Sequence, residues 1–197
     1  MSVVFHIISS LNRGGRERQL AGILNYPSEA TINKSIVFNR SENSYVEEYD
    51  LRDKVIYLKE IDPFKRLIEI YKIVRSEKPD CLWSWGGFEA TFALLVSWLT
   101  GIKHVNGSVR HGIVLRNRKH RWRKFILHRS KYVIGNSRAG LNANGIRNGY
   151  VLYNGLDHRF FETLPGKNID KVLPDLKGKI SENYPLLVSV ANLVPFK

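Results

Sequence analysis

The chain begins with a short apolar strand that passes through a pair of glycines into a helix, and this unit limits the folds open to it. Ser2–Ile8 (Ser-Val-Val-Phe-His-Ile-Ile) is β-branched and almost wholly apolar, which is typical of a buried strand. A loop follows and ends at Gly14 and Gly15, where helix-forming residues begin. Glycine lets the backbone come close to a ligand, and the unpaired N–H groups of a first helical turn favour negative charge. The unit indicates either an anion site or a tight turn without a ligand. The pattern G-x-G-x-x-G is absent, which argues against an ordinary dinucleotide site.

Strand-like and helix-like segments alternate along most of the chain. Further strands are predicted at Lys34–Phe38, Val55–Leu58, Asp80–Trp85, Lys103–Val109, Lys131–Ile134 and Tyr150–Tyr153. Helices are predicted from Pro63 to just before Pro79, over Phe88–Leu99 and over Leu115–Arg129. This alternation predicts an α/β fold, a Rossmann-like parallel sheet with helices on both faces. Ligands of such sheets bind at the carboxyl ends of the strands. The polar and glycine-rich segments expected at that edge are Gly14-Gly15, Gly86-Gly87, Arg110-His111-Gly112, Asn136-Ser137 and Asn154-Gly155.

Positive charge is concentrated in one part of the chain. The 197 residues carry a formal net charge of +13, and no acidic residue lies between Glu89 and Asp157. Such a block attracts nucleic acid, anionic lipid head groups or phosphorylated substrates. No helix-turn-helix, zinc-ligand or RNP-like pattern is present, and aromatic residues do not interleave with the basic run. We therefore expect no nucleic-acid partner, although a basic nucleic-acid-binding module is the chief alternative.

Cysteine usage and the apolar segments indicate a compartment. The single Cys81 suits a reducing environment, and the first residues lack the features of a signal peptide. The longest apolar run, Ala90–Leu99, is shorter than the roughly 20 residues that cross a bilayer. We expect a cytoplasmic protein, with the inner face of the membrane as an alternative location.

The composition changes after the last predicted strand of the series. Residues 1–156 form the predicted Rossmann-like domain, and residues 157–184 are irregular, charged and richer in proline and glycine, as in a linker. Residues 185–197 begin a fresh apolar strand. We expect this strand to open a second domain that the sequence does not contain.

Four motifs, in this order, resemble those of GT-B glycosyltransferases of family 4. Asn12–Glu17 resembles the family's Gly-Gly-x-Glu loop after the first strand. Tyr132–Ser137 resembles its V-I-x-x-S junction between a strand and a helix. Val151–Asp157 resembles its V-x-P-N-G-V-D crossing between domains, with tyrosine in place of proline and leucine in place of valine. Leu187–Lys197 resembles the opening strand of the donor-binding domain.

The resemblance implies a nucleotide-sugar donor as substrate, with no cofactor and no metal. Gly14 and Gly15 would face the diphosphate of the donor, and Lys197 would neutralise the leaving diphosphate. Asn192 stands where the family has an arginine, which removes half of the usual phosphate clamp.

On the acceptor side, the resemblance implies that His111 lies near the donor sugar and the reacting centre, where an imidazole can share the developing charge. A histidine taken alone is more often structural, and the order of the motifs reverses this preference for His111. Acceptor contacts are expected from Asn12, Arg13 and Arg110, and the alternatives for Arg110 are a donor contact or a surface charge.

The function implied by the resemblance is transfer of a sugar, with retention of configuration, to a glycan or lipid-linked acceptor. The family's Glu-x7-Glu donor segment would lie beyond Lys197, so we expect the chain alone to be inactive. A basic nucleic-acid- or phospho-ligand-binding α/β module without catalysis is the alternative function.

The cationic segment Arg116–Lys131 has two interpretations of its own. Its apolar residues, which include Trp122 and Phe125, can pack against the sheet, because a parallel sheet needs helices on both faces. Alternatively, the same aromatic and basic residues suit contact with an anionic membrane.

Overall fold

A computed structural model describes residues 1–42, 44–110, 112 and 118–155. The seven strands are β1 (Ser2–Ile8), β2 (Thr31–Val37), β3 (Val55–Tyr57), β4 (Cys81–Ser84), β5 (Lys103–Val109), β6 (Tyr132–Gly135) and β7 (Tyr150–Val151). The six α-helices are α1 (Gly15–Asn25), α2 (Tyr45–Glu48), α3 (Pro63–Glu77), α4 (Gly87–Thr100), α5 (Arg118–Arg129) and α6 (Arg138–Ala143). A 3-10 turn at Arg52–Lys54 precedes β3.

The seven strands form one sheet in the order β3-β2-β1-β4-β5-β6-β7, and every neighbouring pair is parallel. The central strand β1 pairs with β2 along its whole length and with β4 on its other side. Because the chain proceeds outward in one direction from β1 to β3 and in the other from β4 to β7, the strand order reverses between β1 and β4. This is the doubly wound order of Rossmann-like folds.

Helices cover both faces of the sheet. Phe5 and Ile7 of β1 point to the face where α3 and α4 pack, in a core that contains Ile70 and Phe92. Ile8 points to the opposite face, where the buried residues of α1 and of the segment around α2 pack against it. A smaller core beneath α5 and α6 includes Val109, Leu127, Val133, Leu141 and Ile146. The predicted fold class, a Rossmann-like α/β fold with helices on both faces, is confirmed.

Local signals place several element bounds. The predicted bounds of β1 and β5 coincide with the observed ones. Asp62 caps α3 ahead of Pro63, and Gly101 ends α4 in the left-handed conformation with φ of 74°. Ser137 caps α6 by accepting a hydrogen bond from the N–H of Gly140 at 3.1 Å. The segment between β2 and β3, for which no element was predicted, contains α2 and the 3-10 turn.

The apolar residues of α5 divide between the protein interior and solvent. Ile126 and Leu127 are buried against the rest of the fold, as the packing interpretation requires. Trp122 and Phe125 instead have 53% and 44% of their surface exposed. The expectation that the whole stripe is buried against the rest of the fold is therefore wrong for these two aromatic residues. Ile126 packs on Ala90 and Leu94 of α4, whereas Trp122 stays half-exposed and reaches α4 through a hydrogen bond from its Nε1 to Oγ1 of Thr91 at 3.0 Å.

The predicted division into domain 1–156, linker 157–184 and strand 185–197 stays a prediction, since residues 156–197 lie outside the described part of the chain. No helix within the described residues has both the length and the apolar character needed to cross a membrane.

Candidate functional site

The candidate site lies where the carboxyl ends of β1 and β4 meet, at the reversal of strand order. A crevice opens at this position in doubly wound sheets, because the connections that leave the two strands turn to opposite faces. Gly14 and Gly15 follow β1, Gly86 follows β4, and Arg110 follows β5. Four of the predicted edge residues therefore come from strands that are neighbours in the sheet.

The two glycines of the first turn have different surroundings. Gly14 is the N-cap of α1 in extended conformation, and a Cβ atom there would collide with Oε2 of Glu17. The absence of a side chain at Gly14 therefore leaves room for the Glu17 carboxylate to fold back against the capping residue. Gly15 is exposed, and a Cβ atom there would meet no atom of the described residues within 4 Å. The helix N-terminus is consequently open to an incoming group at Gly15.

The turn after β4 repeats this pattern. Gly86 is the extended N-cap of α4, Gly87 is its first residue, and Glu89 stands at the position that Glu17 holds in α1. A Cβ atom on Gly86 would collide with Oε2 of Glu89. The sequence Gly-Gly-x-Glu thus occurs twice, at the ends of two adjacent strands, with the glutamate folded back against the capping glycine each time.

Glu89 ties the two turns together. Its side chain is 3% exposed, and its Oε1 accepts hydrogen bonds from the N–H of Ser9 at 2.8 Å and from the Ser9 hydroxyl at 2.5 Å. Oε1 of Glu89 is thus engaged by the loop after β1, a role that depends on the strand order.

Arg16 lies between the two glutamates. Its guanidinium donates to Oε1 of Glu17 from Nε at 3.0 Å and from Nη2 at 2.7 Å, and its Nη1 lies 3.8 Å from Oε1 of Glu89. Nη1 also donates to the carbonyl oxygen of Trp85 at 3.5 Å. The charge of Arg16 is therefore balanced by carboxylates that belong to both helix N-termini. Sequence reasoning did not single out this residue.

Arg110 lies flat on an aromatic platform. Its Cζ is 4.5 Å from the ring centroid of Trp85, and its Nε donates to the carbonyl oxygen of Gly107 at 3.0 Å. Burial, together with the nearby charge of Arg16, lowers the pKa of Arg110 to about 10, and Glu17 opposes this shift. The guanidinium of Arg110 is thus held in place and partly desolvated, and its role as a substrate contact stays a prediction.

The platform is itself fixed by a buried histidine. Trp85 is 2% exposed and donates from Nε1 to Nδ1 of His6 at 3.0 Å, and Nε2 of His6 lies 3.0 Å from Oδ1 of Asn33. Since Nδ1 accepts a hydrogen bond, Nε2 carries the proton and donates to Asn33. Burial lowers the pKa of His6 to about 4, so the ring is neutral at physiological pH.

The other two residues predicted to contact the acceptor, Asn12 and Arg13, lie in the loop between β1 and α1. Asn12 forms an isolated bridge with Ser44, and Arg13 pairs with Glu48 at 3.6 Å in an exposed ion pair. The partners of both residues therefore belong to α2 or to the residue that caps it. The contacts of Arg110, in contrast, are made with Trp85 just after β4, with Gly107 of β5 and, through its carbonyl oxygen, with Asn136 just after β6.

His111 and Lys197 lie outside the described residues, so their predicted roles stay predictions, as does the role of Asn192. In the described ranges, no group of three histidine, cysteine, aspartate or glutamate side chains is arranged to hold a metal ion.

No protein-family profile and no curated protein matches the chain. Solved structures do match its fold. HepE of Anabaena in complex with UDP and glucose has a TM-score of 0.69 and 14% identity, over 90% of this chain and 50% of that one. The lipopolysaccharide outer core galactosyltransferase WaaB has a TM-score of 0.59 and 16% identity, over 80% of this chain and 46% of that one.

An enzyme of a different reaction class shares the fold. The UDP-GlcNAc 2-epimerase of Methanocaldococcus jannaschii has a TM-score of 0.61 and 18% identity, over 92% of this chain and 54% of that one. The chain therefore spans about half the length of these structures. The described fold is Rossmann-like and matches that of GT-B glycosyltransferases and related enzymes named for UDP-sugars.

Proposed function

We propose that this chain is the acceptor-side part of a glycosyltransferase, which transfers a sugar from a nucleotide-sugar donor to a glycan or lipid-linked acceptor. The fold similarity supports this proposal, because neighbours of the same fold include a galactosyltransferase and a protein solved with UDP and glucose. The resemblance of the four motifs adds retention of configuration and independence from metal. Since the chain spans about half of each neighbour, the active protein is proposed to be longer, and residues 1–197 alone to be inactive.

The observation that carries the proposal is the open N-terminus of α1. Gly14 leaves room for the Glu17 carboxylate, but no atom of the described residues lies within 4 Å of a Cβ atom built on Gly15. A glycine at the first position of a helix, at the reversal of strand order, is accounted for by a phosphate that approaches the backbone closely. The donor diphosphate is the proposed occupant.

The test compares two glycines of one helix. Gly15→Ala and Gly22→Ala each add a methyl group that meets no protein atom within 4 Å, and both positions are exposed. In the full-length protein, we expect Gly15→Ala to lower the rate of UDP-sugar hydrolysis or transfer about tenfold, which corresponds to about 1.4 kcal/mol. Gly22→Ala should leave the rate unchanged. Equal rates for the two variants would contradict a ligand at Gly15.

His111, Lys197, Asn12 and Arg13 complete the proposal with the roles that the resemblance implies. His111 is proposed to contact the donor sugar, Lys197 the leaving diphosphate, and Asn12 and Arg13 the acceptor. We expect His111→Ala to abolish transfer while binding of UDP persists, because loss of transition-state stabilisation lowers kcat more than affinity. Weakened UDP binding with an unchanged kcat would assign His111 to binding alone.

Product analysis separates transfer from epimerisation, since both classes share the fold. Proton NMR of the products from a panel of UDP-sugars should show a new glycosidic bond with the anomeric configuration of the donor. Inversion of the anomeric centre would refute retention, and epimerised free sugar without a glycosidic bond would replace the proposed reaction.

A second proposal concerns the surface of α5. Trp122 and Phe125 are exposed and stack on each other at 5.5 Å between ring centroids, and Arg129 lies 5.1 Å from the Phe125 ring. Arg118 and Arg121 line a hollow of about 370 Å³ with the same two aromatic residues. Aromatic rings amid basic side chains suit the interface of an anionic bilayer. We infer that the cationic segment Arg116–Lys131 contacts such a membrane.

Vesicle sedimentation tests this contact. The chain should bind vesicles that contain phosphatidylglycerol and not vesicles of phosphatidylcholine alone. The double variant Trp122→Ala/Phe125→Ala should lose most of the bound fraction, whereas Phe64→Ala, which truncates an exposed aromatic residue on α3, should not. Equal binding by both variants, or binding of DNA in preference to vesicles, would refute the membrane contact.

A further inference from the structure

Three arginines from three different elements meet around the turn after β4. Arg16 comes from α1 and reaches the carbonyl oxygen of Trp85. Arg110, at the end of β5, stacks on the ring of the same tryptophan. Arg123 comes from α5, and its Cγ and Cδ would lie 3.1 Å from a Cβ atom on Gly87. The N-terminus of α4, with its own partial positive charge, is thus surrounded by guanidinium groups.

Carboxylates balance only part of this charge. Arg16 is paired with Glu17 and lies 3.8 Å from Glu89. Within the described residues, no carboxylate lies within 4 Å of the guanidinium of Arg110, whose hydrogen bond goes from Nε to the carbonyl oxygen of Gly107. The Nη groups of Arg110 make no hydrogen bond to any described residue. One edge of this guanidinium is therefore held, and no described residue is hydrogen-bonded at the edge that carries the two Nη atoms.

Holding the charged Arg110 guanidinium in this partly buried position is unfavourable in free energy, and a bound anion would offset that. Burial and the charge of Arg16 lower the pKa of Arg110, and burial also lowers the pKa of Arg123. A lowered pKa in a basic group means that the site disfavours its charged form. A bound anion reverses that preference, because an opposite charge in a partly desolvated site interacts more strongly than it does in water.

The geometry also favours one kind of anion. The plane of Arg110 is set by the ring of Trp85, and Trp85 is in turn fixed by its hydrogen bond to buried His6. A guanidinium fixed in this way presents two parallel N–H donors, which match two oxygens of one phosphate. Lysine would supply charge but neither the stacked plane nor the paired donors.

We propose that Arg110 binds a phosphate group of a substrate of this protein through its Nη atoms, with Arg16 and the N-terminus of α4 beside it. The proposal rests on the proposed function, in which both substrates meet at this edge of the sheet. The phosphate belongs either to the donor diphosphate or to a phosphorylated acceptor, and the chemistry at Arg110 is the same for both.

The first measurement observes Arg110 directly in the unmodified chain. Its Nε–H is hydrogen-bonded to Gly107, so it should give a slowly exchanging arginine side-chain signal in ¹⁵N NMR spectra, and loss of that signal in Arg110→Lys assigns it. Titration with inorganic pyrophosphate should shift this signal, whereas the same concentration of chloride should not. An unchanged signal at saturating pyrophosphate would overturn the proposal.

The second measurement uses matched variants. Arg110→Lys should weaken pyrophosphate binding about tenfold, which corresponds to about 1.4 kcal/mol, while Arg52→Lys, at an exposed arginine paired with Asp50, should bind as the unmodified chain does. Thermal melting of both variants checks that they are folded. If Arg110→Lys is folded and binds pyrophosphate normally, the proposal is wrong.

Two further probes identify the source of the phosphate. A loss of UDP-glucose affinity in Arg110→Lys assigns Arg110 to the donor, and a loss of glucose 6-phosphate affinity assigns it to a phosphorylated acceptor. Either result supports the proposal. If pyrophosphate binding depends on Arg110 but the full-length protein cleaves and transfers no nucleotide sugar, the phosphate site stands and the proposed glycosyltransferase function fails.

Discussion

Glu89, in the first turn of α4, accepts hydrogen bonds from both the backbone N–H and the hydroxyl of Ser9, which lies just after β1. These residues are 80 positions apart, and their contact joins the two strands that flank the reversal of strand order. Ser9 satisfies Oε1 of the buried carboxylate, and the carboxylate in turn satisfies the backbone donor that leaves β1.

Glu89→Ala should therefore be strongly destabilising. It leaves the N–H of Ser9 without its partner and removes the carboxylate nearest to Nη1 of Arg16, so we expect a loss of about 2–4 kcal/mol in the free energy of unfolding. Urea denaturation at neutral pH measures it. Glu77→Ala, which breaks a partly exposed pair with Lys34, should cost less than about 1 kcal/mol. Similar losses in the two variants would show that the contact with Ser9 is weak.

Gly107 lies where β5 passes close to β4. A Cβ atom there would lie 2.5 Å from Nε1 of Trp83 and 3.0 Å from the carbonyl oxygen of Ser84. Because the carbonyl belongs to the backbone of the paired strand, Gly107→Ala should destabilise the protein by about 1–3 kcal/mol. Gly22→Ala, in open space on α1, should instead stabilise it by about 0.5–1 kcal/mol. Thermal melting of the two variants should shift the midpoint in opposite directions.

Acid should destabilise the fold through two buried histidines. Burial lowers the pKa of His6 to about 4 and that of His104 to about 4, whereas the unfolded chain titrates near the ordinary value of about 6.5. Between these values the unfolded state binds more protons. Stability is therefore complete above about pH 6.5 and falls as the pH drops towards 4, by up to about 3 kcal/mol for each residue.

Urea denaturation from pH 7.5 to pH 4.5 measures this loss. His104→Gln should flatten the dependence, because one of the two titrating groups is gone, although the variant is less stable at pH 7.5. His128→Gln, at an exposed position of α5, should leave the slope as it is. A slope unchanged by His104→Gln would show that His104 does not titrate in this way.

The segment after β7 is tied to α1 through Gln19. The side-chain amide of Gln19 donates to the carbonyl oxygen of Gly155 at 2.8 Å, and the N–H of Gly155 donates to Oε1 of Gln19 at 3.0 Å. Gln19→Ala should therefore speed hydrogen exchange at the amide of Gly155. The amide of Gly101, which bonds to the carbonyl oxygen of Ser97, should exchange at its original rate. Unchanged exchange at Gly155 would show that this pair does not persist in solution.

Features set by local sequence were predictable. The apolar β-branched run at the start of the chain predicted β1 at its observed bounds, and the predicted bounds of β5 also coincide with the observed ones. α2 escaped prediction because four residues hold too little of a helical period to be distinguished from a polar loop.

The candidate site was predictable only in part. Gly14, Gly15 and Arg110 were placed at the correct edge of the sheet from their positions after strands. The roles of Arg16 and Glu89 were not foreseen, because their contacts require β1 and β4 to be neighbours, and the order of strands in a sheet is not a local property of the sequence. Arg13 was assigned to the acceptor, although in the structure its ion pair with Glu48 directs it towards α2.

The strands at the two edges of the described sheet are its shortest, with three residues in β3 and two in β7. An edge strand exposes unpaired backbone N–H and C=O groups, with which a strand of a second chain can pair. A longer edge offers more of these groups and so favours aggregation more strongly. Short edges leave little ladder for such pairing, and a net charge of +13 makes two copies repel each other. The same architecture that places the candidate site near the centre of the sheet therefore offers little edge for aggregation at its margins.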